Sequence, residues 1–166
     1  MYKHFILAFT LVTLFSITAQ AQGPQNKPFG LGLCLGEPAG VTTKYWFDKK
    51  HALDAAIGYG FFPHRGVAVY ADYLYHLLDI VKANQVPFNL LFYIGVGGKF
   101  GYWYHEHRDH EDNGVGFGVR APFGLTMVFS KAPFDVFLEI APSIAFGAPH
   151  PVWFDFDGCI GGRFYF

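Results

Sequence analysis

The sequence predicts an all-β fold: an eight-stranded antiparallel up-and-down β-barrel that crosses a membrane, preceded by a cleaved N-terminal signal peptide. Three observations carry that prediction. Hydrophobic residues make up 52% of the 166 residues and aromatics 20%, yet beyond the N-terminal segment no apolar run approaches the roughly 20 residues of a spanning helix. The longest, near Val86 to Gly97, is broken by Pro87 and Asn89. So apolar a chain must hide its hydrophobic residues by alternation, and a period of two punctuated by turn residues runs through the sequence. Finally, the chain ends in Gly158-Cys159-Ile160-Gly161-Gly162-Arg163-Phe164-Tyr165-Phe166, an alternating strand with a terminal aromatic. Phe164 and Phe166 there have the form of the membrane-insertion signal that the barrel-assembly machinery of a bacterial outer membrane engages.

At the other end, Lys3 and His4 form a short basic region, Phe5 to Ile17 an apolar stretch, and Ala19-Gln20-Ala21 a small-x-small cleavage site. Residues 1–21 are therefore expected to be a Sec-type signal peptide, and residues 22–166 a single barrel domain, since no linker or low-complexity stretch divides them. The formal net charge of −1 leaves no electrostatic footprint for nucleic acid.

Eight segments follow in order. Phe29 to Gly36 places Leu31, Leu33 and Leu35 on one face, and the Pro/Gly turn Glu37 to Gly40 leads into Val41 to Phe47. The short turn Asp48 to His51 precedes Ala52 to Gly60, and Val67 to His76 makes the fourth strand. Leu77 to Pro87 is long for a turn, so it either extends the flanking strands or forms a helical turn. Phe88 to Trp103 is the fifth strand. In the sixth, Val115 to Phe129, the residues Val115, Phe117, Val119, Ala121, Phe123, Leu125, Met127 and Phe129 share one face. The turn Ser130 to Pro133 leads to Phe134 to Phe146, where Phe134, Val136, Leu138 and Ile140 oppose Asp135, Glu139 and Ser143. Trp153 to Phe166 closes the series.

The apolar face carries bulky Phe, Ile and Leu, and the other face is rich in glycine and charge. Large apolar residues outside and small or charged ones inside suit a narrow barrel in lipid, whose backbone groups must all be paired by closure. A soluble lipocalin-like barrel would need the inverse, and a soluble β-sandwich is the remaining alternative. Inward parity collects Lys44, Lys99, Arg120 and Arg163 with Asp54, Asp72, Glu139 and Asp157. Charges that bury together need partners, and an eight-stranded lumen has room for side chains but scarcely for water. A plugging salt-bridge network is therefore expected, with a narrow ion or solute conduit as the alternative.

The same parity places Cys34 and Cys159 inside, on strands that become neighbours when the barrel closes. Position 34 should oppose 159 or 161, so a disulfide or two diagonal thiols are both open. Aromatic residues should form two girdles. One holds Phe61, Phe62, Tyr102, Trp103, Tyr104, Phe146 and Trp153, and the other Tyr45, Phe47, Tyr73, Tyr75, Phe129, Phe134, Phe164 and Phe166.

Gly30-Leu31-Gly32-Leu33, Leu35-Gly36-Glu37-Pro38-Ala39-Gly40, Lys44-Tyr45-Trp46, Ala71-Asp72-Tyr73 and Phe137-Leu138-Glu139-Ile140-Ala141-Pro142 occur in this order. In this the chain resembles an uncharacterised family of small bacterial outer-membrane β-barrel proteins, similar in architecture to the eight-stranded OmpA and OmpX barrels. The resemblance implies an outer-membrane location and brings no catalytic residues.

The segment Tyr104 to Gly114 reads as an exterior loop whose His105, His107 and His110 are candidate ligands for zinc or copper. It is not a zincin motif, because Asp109 stands where the second histidine belongs; a solvated polar loop is the plain alternative. Enzymatic readings fare poorly. The mature chain has only Ser130 and Ser143, one in a turn and one inside by parity, neither placed beside a histidine at an outer-leaflet ester. His51, His64, His76 and His150 fall near strand ends and read as surface side chains. The sequence thus points to a monomeric, non-catalytic barrel without a cofactor. Its expected partners are outer-membrane lipid, the barrel-assembly machinery and an unidentified extracellular ligand.

Overall fold

The computed structural model describes residues 23–60, 65–81, 86–107, 110–147 and 151–166. The segment read as a signal peptide lies outside the described residues, as do Phe61, Phe62, His64 and His150. After a short 3-10 turn at Pro24–Asn26, the ladder segments are β1 (Phe29–Glu37), β2 (Ala39–Trp46), β3 (His51–Gly60), β4 (Arg65–Val81) and β5 (Phe88–His107). They continue with β6 (His110–Arg120), β7 (Phe123–Phe129), β8 (Phe134–Gly147) and β9 (Trp153–Tyr165). Every pairing is antiparallel, and β1 returns to β9 with Leu31 opposite Phe164 and Leu35 opposite Ile160. The ring is closed, so no sheet edge is left to satisfy.

Nine ladder segments make eight staves, because β6 and β7 together are the sixth. Arg120 pairs with Gly97 and Ser143, and Phe123 with Ile94 and Ile140, so both ladders resume in the register they left. The interruption is chemical: Pro122 and, on β8 opposite Ala121, Pro142 have no N–H to donate. The flanking groups still bond, Ala121 N–H to the Pro142 carbonyl at 3.0 Å and Gly95 N–H to the Pro122 carbonyl at 2.7 Å. Inside–outside parity therefore survives, with Ala121 and Phe123 exposed and Pro122 buried.

Two boundaries differ from the sequence expectation. β4 runs past His76 to Val81, with irregularities between His76 and Leu78 and between Asp79 and Val81; the long connection is thus partly strand. The segment read as a loop from Tyr104 is a ribbon, in which β5 continues to His107 and β6 begins at His110. No helix among the described residues is long and apolar enough to cross a membrane.

The outer surface is apolar: Leu35 and Phe154 are each 70% exposed and Phe117 62%, whereas inward-facing Asp54 and Asp72 are 0% and Arg163 1% exposed. That inversion excludes the lipocalin and sandwich alternatives, each of which needs its large apolar residues inside. Aromatic rings cluster at the end carrying the β2–β3 and β7–β8 turns. There Tyr45 meets Phe47 at 5.5 Å between centroids, Phe129 meets Phe134 at 6.0 Å and Phe164 meets Phe166 at 5.2 Å.

Candidate functional site

The lumen is filled by two arginine-centred tiers. Because successive strand residues alternate faces, Thr42 and Lys44 of β2, Asp54 of β3, Asp135 of β8 and Arg163 of β9 all turn inward at one level. Arg163 Nη2 donates to both oxygens of Asp54 at 3.0 and 2.8 Å, and its Nε donates to Thr42 Oγ1 at 3.2 Å. Nη1 lies 3.6 Å from Asp135 Oδ2, an oxygen that also accepts from Tyr165 at 2.7 Å and Thr126 at 3.4 Å. The guanidinium stacks on Phe137, 3.8 Å from the ring centroid.

Arg120 of β6 builds the second tier. Nη2 donates to Glu139 Oε1 at 2.6 Å, Nη1 to Asp157 Oδ2 at 3.2 Å, and Nε pairs with Asp72 Oδ2 at 3.2 Å. The last contact is an ion pair without hydrogen-bond geometry, since Nε and both Asp72 oxygens have no hydrogen-bond partner. This guanidinium also stacks on an aromatic face, 3.8 Å from the Tyr70 centroid. Lys99 of β5 continues the tier, donating to Asp157 at 2.6 Å and Asp155 at 2.8 Å. Tyr93 donates to Glu139 Oε2 at 2.9 Å.

Lys44 sits apart from this pattern. Its ammonium lies 3.0 Å from His76 Nε2 and over the rings of Trp46 and Tyr93, at 4.4 and 5.2 Å. His76 Nδ1 is 3.0 Å from the Lys50 carbonyl. These two partners assign the tautomer: Nδ1–H donates to the carbonyl and Nε2 accepts from the ammonium. A hydrophobic layer of Trp46, Ala52, Leu74, Tyr93 and Tyr165 closes that end, with the Trp46 indole donating to the Tyr165 hydroxyl at 3.2 Å.

The eight charged residues assigned to the lumen by parity are all buried, but the core holds more. Buried Asp135 and part-buried Asp155 join them, so among the described residues six carboxylates face four cations rather than four facing four. Both have inward parity, Asp135 in step with Glu139 and Asp155 in step with Asp157. His76 corrects the reading that placed it at the surface: it is 2% exposed, since the strand carrying it runs on past it. Its even position in step with Asp72 and Leu74 was the signal.

Cys34 and Cys159 are buried beside Phe137 and carry free thiols. Cys34 lies opposite Gly161 and Cys159 opposite Gly36, the diagonal arrangement rather than direct opposition. Ser143 is 3% exposed inside the barrel, and Ser130 lies in the exposed β7–β8 turn. The backbone of His105, His107 and His110 lies on the β5–β6 ribbon, outside the lumenal core; their side chains lie outside the described structure.

A protein-family model, described as "Protein of unknown function (DUF3996)", matches residues 21–160. A comparison with curated proteins finds no match. Among solved structures, the N-terminal β-barrel domain of Pseudomonas aeruginosa OprF is similar to this chain with a TM-score of 0.66. The likeness has 15% sequence identity and covers 87% of this chain and 100% of that one. Identity at that level speaks for the fold alone, a closed eight-stranded antiparallel β-barrel like that of the OprF domain.

Proposed function

The chain belongs to the DUF3996 family of proteins of unknown function, and on that premise we propose that it is a small outer-membrane barrel with a plugged lumen. Its role is structural or one of surface interaction, and it is not catalytic. The observation that carries this reading is the filled interior: both arginines are 1% exposed, Arg163 paired with two carboxylates and Arg120 with three, and each is stacked on a ring. A solute would have to break two such tiers, and separating a buried ion pair costs about 3–5 kcal/mol. The apolar exterior supports a lipid setting, in which the protein is exported, cleaved and inserted as a monomer. Phe164 and Phe166 would supply the signal read by the assembly machinery.

Planar-bilayer recording of the purified protein tests the plug. Silence at moderate voltage is expected, and steady single-channel openings would overturn it. The surplus of carboxylates over cations favours one second reading, a narrow cation conduit, which the same openings, if cation-selective, would establish. Location is tested separately. The protein should fractionate with the outer membrane and migrate faster unheated than boiled on detergent gels, and a soluble periplasmic fraction with identical migration would refute it.

A further inference from the structure

Cations without ionic partners gather at the end of the barrel that carries the β2–β3 and β7–β8 turns. Among the described residues five cationic side chains lie outside the lumen, and four of them are here. Lys49 and Lys50 stand exposed on the β2–β3 turn, Lys131 on the β7–β8 turn, and half-buried Lys27 just before β1. The fifth, Arg65, begins β4 at the opposite end. None of the four lysines forms an ion pair among the described residues. The acidic groups at this end are fewer and otherwise engaged. Asp48 accepts from the Lys50 and His51 backbone N–H groups at 2.7 and 2.8 Å, and Asp79 lies on β4, outside the staves that bear the lysines. The other is the α-carboxylate of Phe166.

Closure of the ring sets the lysines side by side. In the order β3, β2, β1, β9, β8, β7 each strand is bonded to the next, so at a stave spacing of about 4.8 Å the two turns and Lys27 share roughly 20 Å of rim. The rim there is fixed by backbone bonds. The Lys50 carbonyl accepts from His76 N–H at 2.7 Å, the Pro133 carbonyl from Tyr165 N–H at 2.8 Å, and the Phe29 carbonyl from Phe166 N–H at 2.9 Å. Just inside this arc the outward face carries the exposed rings of Tyr45, Phe47, Phe164 and Phe166. Rings at such a position mark the depth of the lipid headgroups. The Lys27 ammonium lies 5.7 Å from the Phe164 centroid, within cation–π range, which puts its charge on the lipid-facing side of the wall and not in the lumen. Lysine stems run along apolar surface while their heads stay at the polar boundary, and the heads here meet phosphate.

We propose that Lys27, Lys49, Lys50 and Lys131 form a headgroup-binding arc for anionic phospholipid. The inference rests on the outer-membrane reading above, in which this end faces the periplasm because the β5–β6 ribbon read as exterior lies at the other. A zwitterionic headgroup offers phosphate but no net charge, whereas an anionic one attracts each lysine near its surface. Because the cations occupy one arc of one rim, the bound lipid would hold the barrel at a set depth in a single leaflet.

The test is native mass spectrometry of the full mature chain, folded in detergent micelles that contain equal amounts of phosphatidylglycerol and phosphatidylcholine at low salt. Phosphatidylglycerol should be retained over phosphatidylcholine by about fivefold or more, the factor for one lysine at an anionic surface, and the preference should shrink as salt rises to about 0.5 M. The variant Lys27→Gln/Lys49→Gln/Lys50→Gln/Lys131→Gln should bring the two lipids within about twofold of each other. Lys49→Gln/Lys50→Gln, confined to an exposed turn, should remove about half of the preference, and Arg65→Gln at the opposite end should leave it unchanged. Heat-modifiable migration shows that each variant has folded. Equal retention of the two lipids by the folded wild type would overturn the arc and leave the membrane reading standing. So would a wild-type preference in both lysine variants, or a loss in Arg65→Gln as large as theirs. A chain that keeps neither lipid and migrates identically unheated and boiled would refute the membrane reading, and the arc with it.

Discussion

Replacing Arg163 with methionine keeps the length and most of the volume of the side chain while removing its charge and its donors. Asp54 then loses both hydrogen bonds from Nη2, at 3.0 and 2.8 Å, and keeps only the weak approach of Thr42 Oγ1 at 3.5 Å. Neither partner is screened by solvent, since the side chains are 1% and 0% exposed. At 2.8 Å and an effective dielectric of 20, the gross attraction is roughly 6 kcal/mol. Desolvation of both ions takes back much of it. What the substitution reads out is the cost of one carboxylate left buried without its cation, about 3–5 kcal/mol. A paired change, Arg163→Met with Asp54→Leu, removes the stranded charge and should recover most of that loss, giving a coupling energy of about 2 kcal/mol or more in the double-mutant cycle. Urea unfolding in detergent micelles, followed by tryptophan fluorescence, measures it, and Trp46 reports the right place through its bond to Tyr165. If Arg163→Met cost less than about 1 kcal/mol, the range of an exposed pair, or if the paired change were worse than the single one, the tier would not be the buried ionic core described.

Three further outcomes are expected. Gly161→Val should destabilise the barrel by about 1–3 kcal/mol or prevent folding; a Cβ there would meet the Phe137 ring at 2.5 Å and the Leu33 carbonyl at 2.6 Å, and a variant with the wild-type urea midpoint would contradict it. Two thiols per chain should react with a maleimide in denatured, unreduced protein, because Cys34 and Cys159 are free on diagonal register positions; no labelling without reductant would show a disulfide instead. At the β2–β3 turn, partial desolvation pushes the Asp48 carboxyl up, but the Lys50 and His51 backbone N–H groups donate to it at 2.7 and 2.8 Å and hold it below the ordinary carboxylate range. A depressed folded-state value stabilises above the unfolded value of about 3.9 and is lost as pH falls through the folded one, so the stability gap between wild type and Asp48→Ala should be full at pH 6 and shrink below pH 4.

Most of the fold was legible because one rule, the alternation of faces, acts at every strand residue. It fixed the count of staves and the inward set from Lys44 to Arg163, and it left position 34 only 159 or 161 as a neighbour. It failed where a second physical effect takes over. Pro122 and Pro142 break the hydrogen-bond ladder without moving the register, which a face pattern cannot register as a gap. Irregularities after His76 let β4 continue through a stretch whose alternation is lost, so a buried histidine looked peripheral. The ribbon around His107 and His110 is polar on both faces, and without a greasy side there is no pattern to distinguish strand from loop. Asp135 and Asp155 were visible to parity but not to an estimate of depth, which depends on how far each stave runs past the rim.

The arginine tiers also bear on time. Arg163 is bonded to a carboxylate 109 positions away in the chain, and its partners come from β2, β3 and β8, while those of Arg120 come from β4, β8 and β9. The Arg163 set is incomplete until the first stave has met the last, and the Arg120 set until the last stave is in place. A chain that has zipped seven staves carries the desolvation cost of its charges with little of the return, so the ionic core strengthens the barrel only after the ring has shut. Interactions absent from the transition state act on unfolding rates and leave folding rates almost untouched. The lumen therefore behaves as a latch thrown last: it does little to hasten assembly, and it sets how long the finished barrel lasts.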